Sequence, residues 1–252
     1  ITNCLIEDNG STGIGNHVVY RDQGEPIEKR DFRGANVAHA AEGVIYRNIV
    51  RRNLGRGIGC NHLSAPYIIG NEVCDNDDSS LGEPGPGIGA KHGAAPRIIG
   101  NVVHDNPGGG IMTRRGAKQG AHPIDRPTTP TVRANVVYAN GKERPGIAVA
   151  NGGSEASPVV IAENVVFDSG SVGIGVSRGT VALVEANRIR GARLAGIAVN
   201  GATLRRLNEN AIEDTQGAGL TIVNGARVLE MRGNAVHATK GPAYVLQGST
   251  VR

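Results

Sequence analysis

The sequence predicts an all-β solenoid: a three-faced coil of about 23 residues, wound about nine times. Three observations predict it. Asparagines followed by an aliphatic pattern recur at Asn48, Asn71, Asn101, Asn135, Asn164, Asn187, Asn210 and Asn234. Aliphatic residues keep step with them in three separate lines. Glycine is abundant, at 38 of 252 residues, while Phe, Trp and Tyr together make up only 3%. Such a chain has many turns and little aromatic bulk for a core, a combination that suits stacked repeats.

The intervals between the asparagines are 23, 30, 34, 29, 23, 23 and 24 residues, so the base period carries insertions in the middle of the chain. The first aliphatic line lies two residues after each asparagine: Val50, Val73, Val103, Val137, Val166, Ile189, Ile212 and Val236. The second lies in a Gly-Ile unit: Ile58, Ile88, Ile111, Ile147, Ile174, Ile197, then Leu220 and Tyr244. The third lies three residues before each asparagine, from Ile45, Ile68 and Ile98 to Leu207 and Met231. Asn3 with Ile14 fits the same frame, with a long insertion from about Tyr20 to Ala41. Three strands of four or five residues plus turns fill one period. Helical repeats need ~33–47 residues and an i, i+3, i+4 stripe, which is absent. A leucine framework is absent too. Ile and Val suit pleated strands. Parallel stacking at ~4.8 Å makes a rod of roughly 40–45 Å.

The turns follow from the same frame. Gly13, Gly57, Gly87, Gly110, Gly146, Gly173, Gly196 and Gly219 stand directly before the second line. A tight bend there is expected to need positive φ or close backbone approach. The asparagines are expected to take a left-handed conformation at another bend and to bond to their stacked neighbours. Asn53, Asn76, Asn106 and Asn140 form a second such set.

Composition excludes several classes. Hydrophobic residues are 39% and charged residues 20%, too apolar a balance for a disordered chain. No Gly-X-Y period is present, and no apolar run reaches the ~18–20 residues of a membrane span. The net charge of +4 comes without a polybasic run, so no nucleic-acid partner is expected. Cys4, Cys60 and Cys74 show no metal-ligand spacing, and Cys60 and Cys74 are expected to point inward.

The units Gly-Ile-Gly-Cys-Asn-His-Leu-Ser-Ala-Pro-Tyr-Ile-Ile-Gly-Asn (57–71) and Gly-Ile-Gly-Ala-Lys-His-Gly-Ala-Ala-Pro-Arg-Ile-Ile-Gly-Asn (87–101) carry a resemblance. The chain resembles the single-stranded right-handed parallel β-helix of the pectin lyase-like superfamily, with its carbohydrate-binding and sugar hydrolysis repeats. The resemblance spans nearly the whole chain and implies one β-helix domain over 1–252. It also implies an extracellular or periplasmic location. It does not single out an activity, since lyases, hydrolases, epimerases and non-catalytic members share the fold.

Equivalent positions of successive coils form surface lines. Three residues past the second-line isoleucine come His17, Asn61, Lys91, Arg114, Ala150, Ser177 and Asn200. Four past it come His62, His92, Arg115, Asn151 and Arg178. The middle coils thus gather cationic side chains, and insertions at about 77–86, 116–126 and 141–146 could wall a groove beside them. A cationic line suits an acidic polysaccharide or oligosaccharide. A desolvated Lys could abstract the proton next to a uronate carboxylate. Lys91 and Arg114 are similar to the Lys and Arg on consecutive coils of the chondroitinase B and alginate lyase family. That likeness implies Lys91 as base and Arg114 as acid or neutralising group. The family's calcium-binding carboxylates are replaced here by Pro84 and Pro86, with only Glu83 nearby. Solvated strand ends explain the same cations.

Asp75, Asp77 and Asp78, with His104 and Asp105 one coil on, could hold Ca²⁺ through oxygen ligands, or could simply cap strands. His122, Asp125 and His39 in the insertions are weaker candidates. With no tryptophan, a ligand is expected to be held by charge rather than by ring stacking. Two functions follow as expectations. One is binding or lyase-type processing of an acidic polysaccharide. The other is a non-catalytic spacer or interaction solenoid in a larger extracellular protein, its ends covered by another domain or chain.

Overall fold

A computed structural model describes residues 1–17, 42–76, 85–115 and 127–252. Among these residues the regular structure is all strand, and the strands form three parallel sheets. The first sheet has nine strands, from Leu5–Glu7 and Ile49–Arg51 to Ala235–His237. The second has nine, from Ile14–His17 and Ile58–Asn61 to Tyr244–Gln247. The third follows a ten-strand arrangement that begins at Val44–Tyr46 and Tyr67–Ile69 and ends at Thr250–Val251. Each coil contributes in turn to the three sheets, which is a single-stranded parallel β-helix.

The three aliphatic lines are the three inner faces. Val50 pairs with Val73, Ile58 with Ile88, and Ile45 with Ile68. Like therefore stacks on like, and the branched side chains fill the space between sheets without aromatic bulk. Ile58, Ile88, Ile111, Ile147, Ile174 and Ile197 are all at 0% exposure. A second inner line of the second sheet adds Cys60, Ala90, Val149, Val176 and Val199.

Both asparagine sets are buried ladders. Asn48 Nδ2 donates to Asn71 Oδ1 at 2.9 Å, and the chain of bonds continues through Asn101, Asn135, Asn164, Asn187 and Asn210 to Asn234. The second ladder starts one coil earlier than expected, at Asn9, and runs through Asn53, Asn76 and Asn106 to Asn140. Ser169, Ala192 and Thr215 follow at its position in later coils.

One expectation about the turns is corrected, and the other is met by one of its two alternatives. The ladder asparagines are not the left-handed residues. The residue before each one is: Arg47, Ala134, Glu163, Ala186 and Glu209 have φ of 52°, 54°, 58°, 53° and 56°, and Gly70, Gly100 and Gly233 take the same place. That residue turns the corner, which leaves the asparagine amide aimed inward to span two coils. The glycines before the second line do not have positive φ either. A Cβ at Gly57 would lie 2.4 Å from Val73 Cγ1 and 2.7 Å from the Gly87 carbonyl oxygen. Close approach alone excludes a side chain there.

Cys60 is buried inward as expected. Cys74 is not inward. Val73 faces the core, so Cys74 stands on the outer face of the first sheet, in register with Arg51 and His104 and covered by its neighbours.

Candidate functional site

Strand alternation sends every second residue of the second sheet outward. The outward residues of five successive coils are Gly89, Met112, Ala148, Gly175 and Ala198, all in register. Four of the five are small, so this face is a shallow floor, and a cleft of about 680 Å³ lies over it.

Its two edges are the corners of the coil. Arg56, Pro86, Arg144 and Pro145 come from the corner leading in from the first sheet. Lys91, Arg114, Ser177, Arg178 and Asn200 come from the strand ends and the corner leading out. Lys91 N donates to the Cys60 carbonyl oxygen, which continues the register past Ala90. Lys91 and Arg114 therefore occupy equivalent places on adjacent coils, as the spacing predicts. Arg56 reaches over the floor: a Cβ at Gly89 would lie 2.9 Å from Arg56 Cδ and 3.3 Å from its Nε. The glycine thus makes room for the guanidinium.

Five cationic side chains line the cleft: Arg56, Lys91, Arg114, Arg144 and Arg178. Among the described residues no carboxylate lines it. This crowding acts on the half-buried Lys91. Burial, then the nearby Arg56 and Arg114 charges, push its ammonium below the ordinary lysine value. An amine so placed gives up its proton more readily than a solvated one.

The other candidates fall elsewhere. His62, His92, Asn151 and Arg178 have φ of 51°, 55°, 52° and 55°, so they turn the corner between the second and third sheets. Of these only Arg178 lines the cleft. The His62 and His92 rings stack on each other, with centroids 5.1 Å apart. Asn61 is buried at the strand end, and neither it nor Arg115 lines the cleft. His17 pairs with Asn61 through the backbone. Asp75 turns the corner after Cys74, with φ of 53°. Asp77, Asp78, Glu83, Pro84, His39, His122 and Asp125 lie outside the described residues, so no oxygen cage for Ca²⁺ is described.

Sequence reasoning missed Arg56 and Arg144. Their signal lies two or three residues before the second-line isoleucines Ile58 and Ile147, on the opposite side from the Lys91 and Arg114 positions. It also missed an aromatic ladder on the outer face of the first sheet. His104 stacks on Tyr138 at 4.8 Å, and Tyr138 on Phe167 at 4.7 Å, with interplanar angles of 2° and 1°. Each stands three residues after a ladder asparagine, a spacing open to inspection. These rings cover one another's faces and do not line the cationic cleft.

The fold and site define a class: a parallel β-helix whose second sheet carries a cation-lined cleft. The chain matches the family model described as "Right handed beta helix region" over residues 34–181 and 159–252, and it belongs to that family. Among solved structures it is similar to a double mutant of the periplasmic alginate epimerase AlgG. The identity is 12%, with 83% of this chain and 69% of that chain covered and a TM-score of 0.38. No curated protein matches.

Proposed function

We propose that the protein binds an acidic polysaccharide in the cleft over its second sheet. The observation that carries this reading is the lining: Arg56, Lys91, Arg114, Arg144 and Arg178 surround a floor of small residues with no carboxylate described among them. Adjacent coils rise by ~4.8 Å. The cations are therefore spread along the helix axis, which suits a polymer with repeated charges better than a single anion. Such a polymer belongs outside the cytoplasm, so the reading includes an extracellular or periplasmic location.

The same cleft offers a lyase-type reaction. Lys91, with its lowered proton affinity, would take the proton from the carbon next to a uronate carboxylate. Arg114 would neutralise that carboxylate as charge develops on it. The freed electron pair would form a carbon–carbon double bond as the glycosidic C–O bond breaks. The leaving oxygen would regain the proton from the Lys91 ammonium.

Calorimetric titration with pectate, alginate, chondroitin and heparin-like fragments tests the binding. At least one should bind, and Lys91→Ala or Arg114→Ala should weaken it at least tenfold without lowering the melting temperature. Silence across all four would defeat the binding reading. Ultraviolet absorbance of an unsaturated product tests the reaction. Binding without any such product would leave a non-catalytic polysaccharide-binding module, the first expectation from the sequence without its lyase step.

A further inference from the structure

We propose that Glu72, Cys74 and His104, on the outer face of the first sheet, form a binding site for a divalent transition ion of the Zn²⁺ class. The site is separate from the cationic cleft and does not rest on the reading of that cleft.

Register builds it. The strands Glu72–Cys74 and Val102–His104 pair with Val73 opposite Val103 and Cys74 opposite His104. The two valines face the core, so the residues on either side of them face out. Three different donors, a carboxylate, a thiol and an imidazole, then place their ligand atoms within 4.8 Å of one another.

The histidine is oriented for the role. His104 Nδ1 lies 2.7 Å from Asp105 Oδ2, and Nε2 lies 3.4 Å from Glu72 Oε1. In the tautomer with Nδ1–H donating to Asp105, the Nε2 lone pair faces the Glu72 carboxylate. Two acceptors then face each other, a place that either a proton or a metal ion fills. With the metal ion this is the carboxylate–histidine–metal arrangement in which an outer carboxylate fixes the tautomer. The Tyr138 ring stacked on His104 holds the imidazole plane.

The distances suit a tetrahedral ion. Metal–nitrogen and metal–oxygen bonds of ~2.0–2.2 Å separate neighbouring N and O ligands by about 3.4 Å, a spacing His104 and Glu72 already have. The widest separation in the group must close by about 1 Å, within the reach of a side-chain adjustment. Arg51 is the cation in register with Cys74, but its Nε is bonded to Glu7 at 2.8 Å, on the coil before. Burial, then Asp75 and Glu72, push the Cys74 thiol up to about 12, so ion binding must displace its proton. The donor set distinguishes this site from the oxygen cage expected around Asp75. Thiolate and imidazole select Zn²⁺ or Co²⁺, whereas Ca²⁺ requires oxygens.

Co²⁺ is the probe, added to tag-free, metal-stripped protein carrying Cys4→Ser to remove the exposed thiol. One equivalent should bind with an ultraviolet sulfur-to-cobalt charge-transfer band, and Zn²⁺ should displace it. Cys74→Ser should abolish the band, His104→Gln should abolish stoichiometric binding, and Asp105→Asn should weaken it by roughly 10–100-fold. Absence of binding, binding without the sulfur band, or a band that survives Cys74→Ser would overturn the proposal. If a variant fails to fold, the spectrum of the parent protein decides alone, because only a thiolate ligand yields that band and Cys60 is buried in the core.

Discussion

Lys91 shows how one residue carries both a cost and a use. Its charged form is disfavoured by burial and by Arg56 and Arg114, so its folded-state value lies below the ordinary lysine value of 10.5. The unfolded chain then holds the proton more tightly than the folded one. Stability contributed at this site is reduced at neutral pH, where both states are charged. It recovers as pH rises through the lowered folded value toward the unfolded one. Two results are expected. Lys91→Gln should keep or raise the melting temperature while losing polysaccharide affinity, measured by thermal denaturation and calorimetry on one preparation. The parent protein should also gain stability relative to Lys91→Gln as pH rises toward 10, read from denaturant midpoints at several pH values. A lysine kept only for stability would show the opposite sign in both. Cost at rest and gain on binding is the pattern expected of a functional group.

At the scale of the element, the turns decide more than the strands. Strands of three residues make few hydrogen bonds, so each coil relies on its corners. Asn101 accepts from the Asn71 backbone N–H and side chain. It donates to Asn135 and to the Ile68 and Ile99 carbonyl oxygens. Asn101→Ala would leave several of these buried groups unpaired, at ~1–3 kcal/mol each. A total loss of about 3 kcal/mol or more is expected in urea denaturation. Gly57→Ala belongs at the same scale. Its Cβ would meet Val73 Cγ1 at 2.4 Å, and overpacking of this kind costs about 1–3 kcal/mol. An unchanged midpoint in either variant would show that the corners relax more than the stacked geometry allows. The asparagine spacing was legible in the sequence, but which residue turns the corner was not. Arg47, Ala134 and Glu163 share no side-chain chemistry. The left-handed conformation there is imposed by the stack, not chosen by residue type.

Across the whole molecule, each coil touches only its neighbours, so stability is close to a sum of coil and interface contributions. The middle coils are enclosed on both sides. Ile147→Ala is expected to cost about 2–5 kcal/mol, whereas Ile14→Ala, in a coil with partly exposed Ile6 and exposed Leu5, should cost less. Urea denaturation of the two variants measures the difference, and equal losses would mean that the rod unfolds as one unit. The cleft is also a property of the whole rod. Its cations come from several coils, so polysaccharide affinity should fall as salt is raised and the charges are screened. Calorimetry across a salt series reads this directly, and a flat response would remove charge as the source of affinity.

The sequence by itself determined the period, the three aliphatic lines, both asparagine ladders and the pairing of Lys91 with Arg114. All of these depend on spacing along one axis, and a solenoid converts spacing directly into neighbourhood. Only the tertiary structure decided what meets across a coil. Arg56 and Arg144 join the cleft because one corner of the second sheet stands opposite the other, a relation that no linear interval expresses. Gly89 matters because Arg56 lies over it. Cys74 changed from a core thiol to an outer-face residue because the strands of the first sheet put only their middle residue inward. His104 gained its partners the same way, through a register in which Glu72 and Cys74 lie 32 and 30 positions back in the chain yet one coil away.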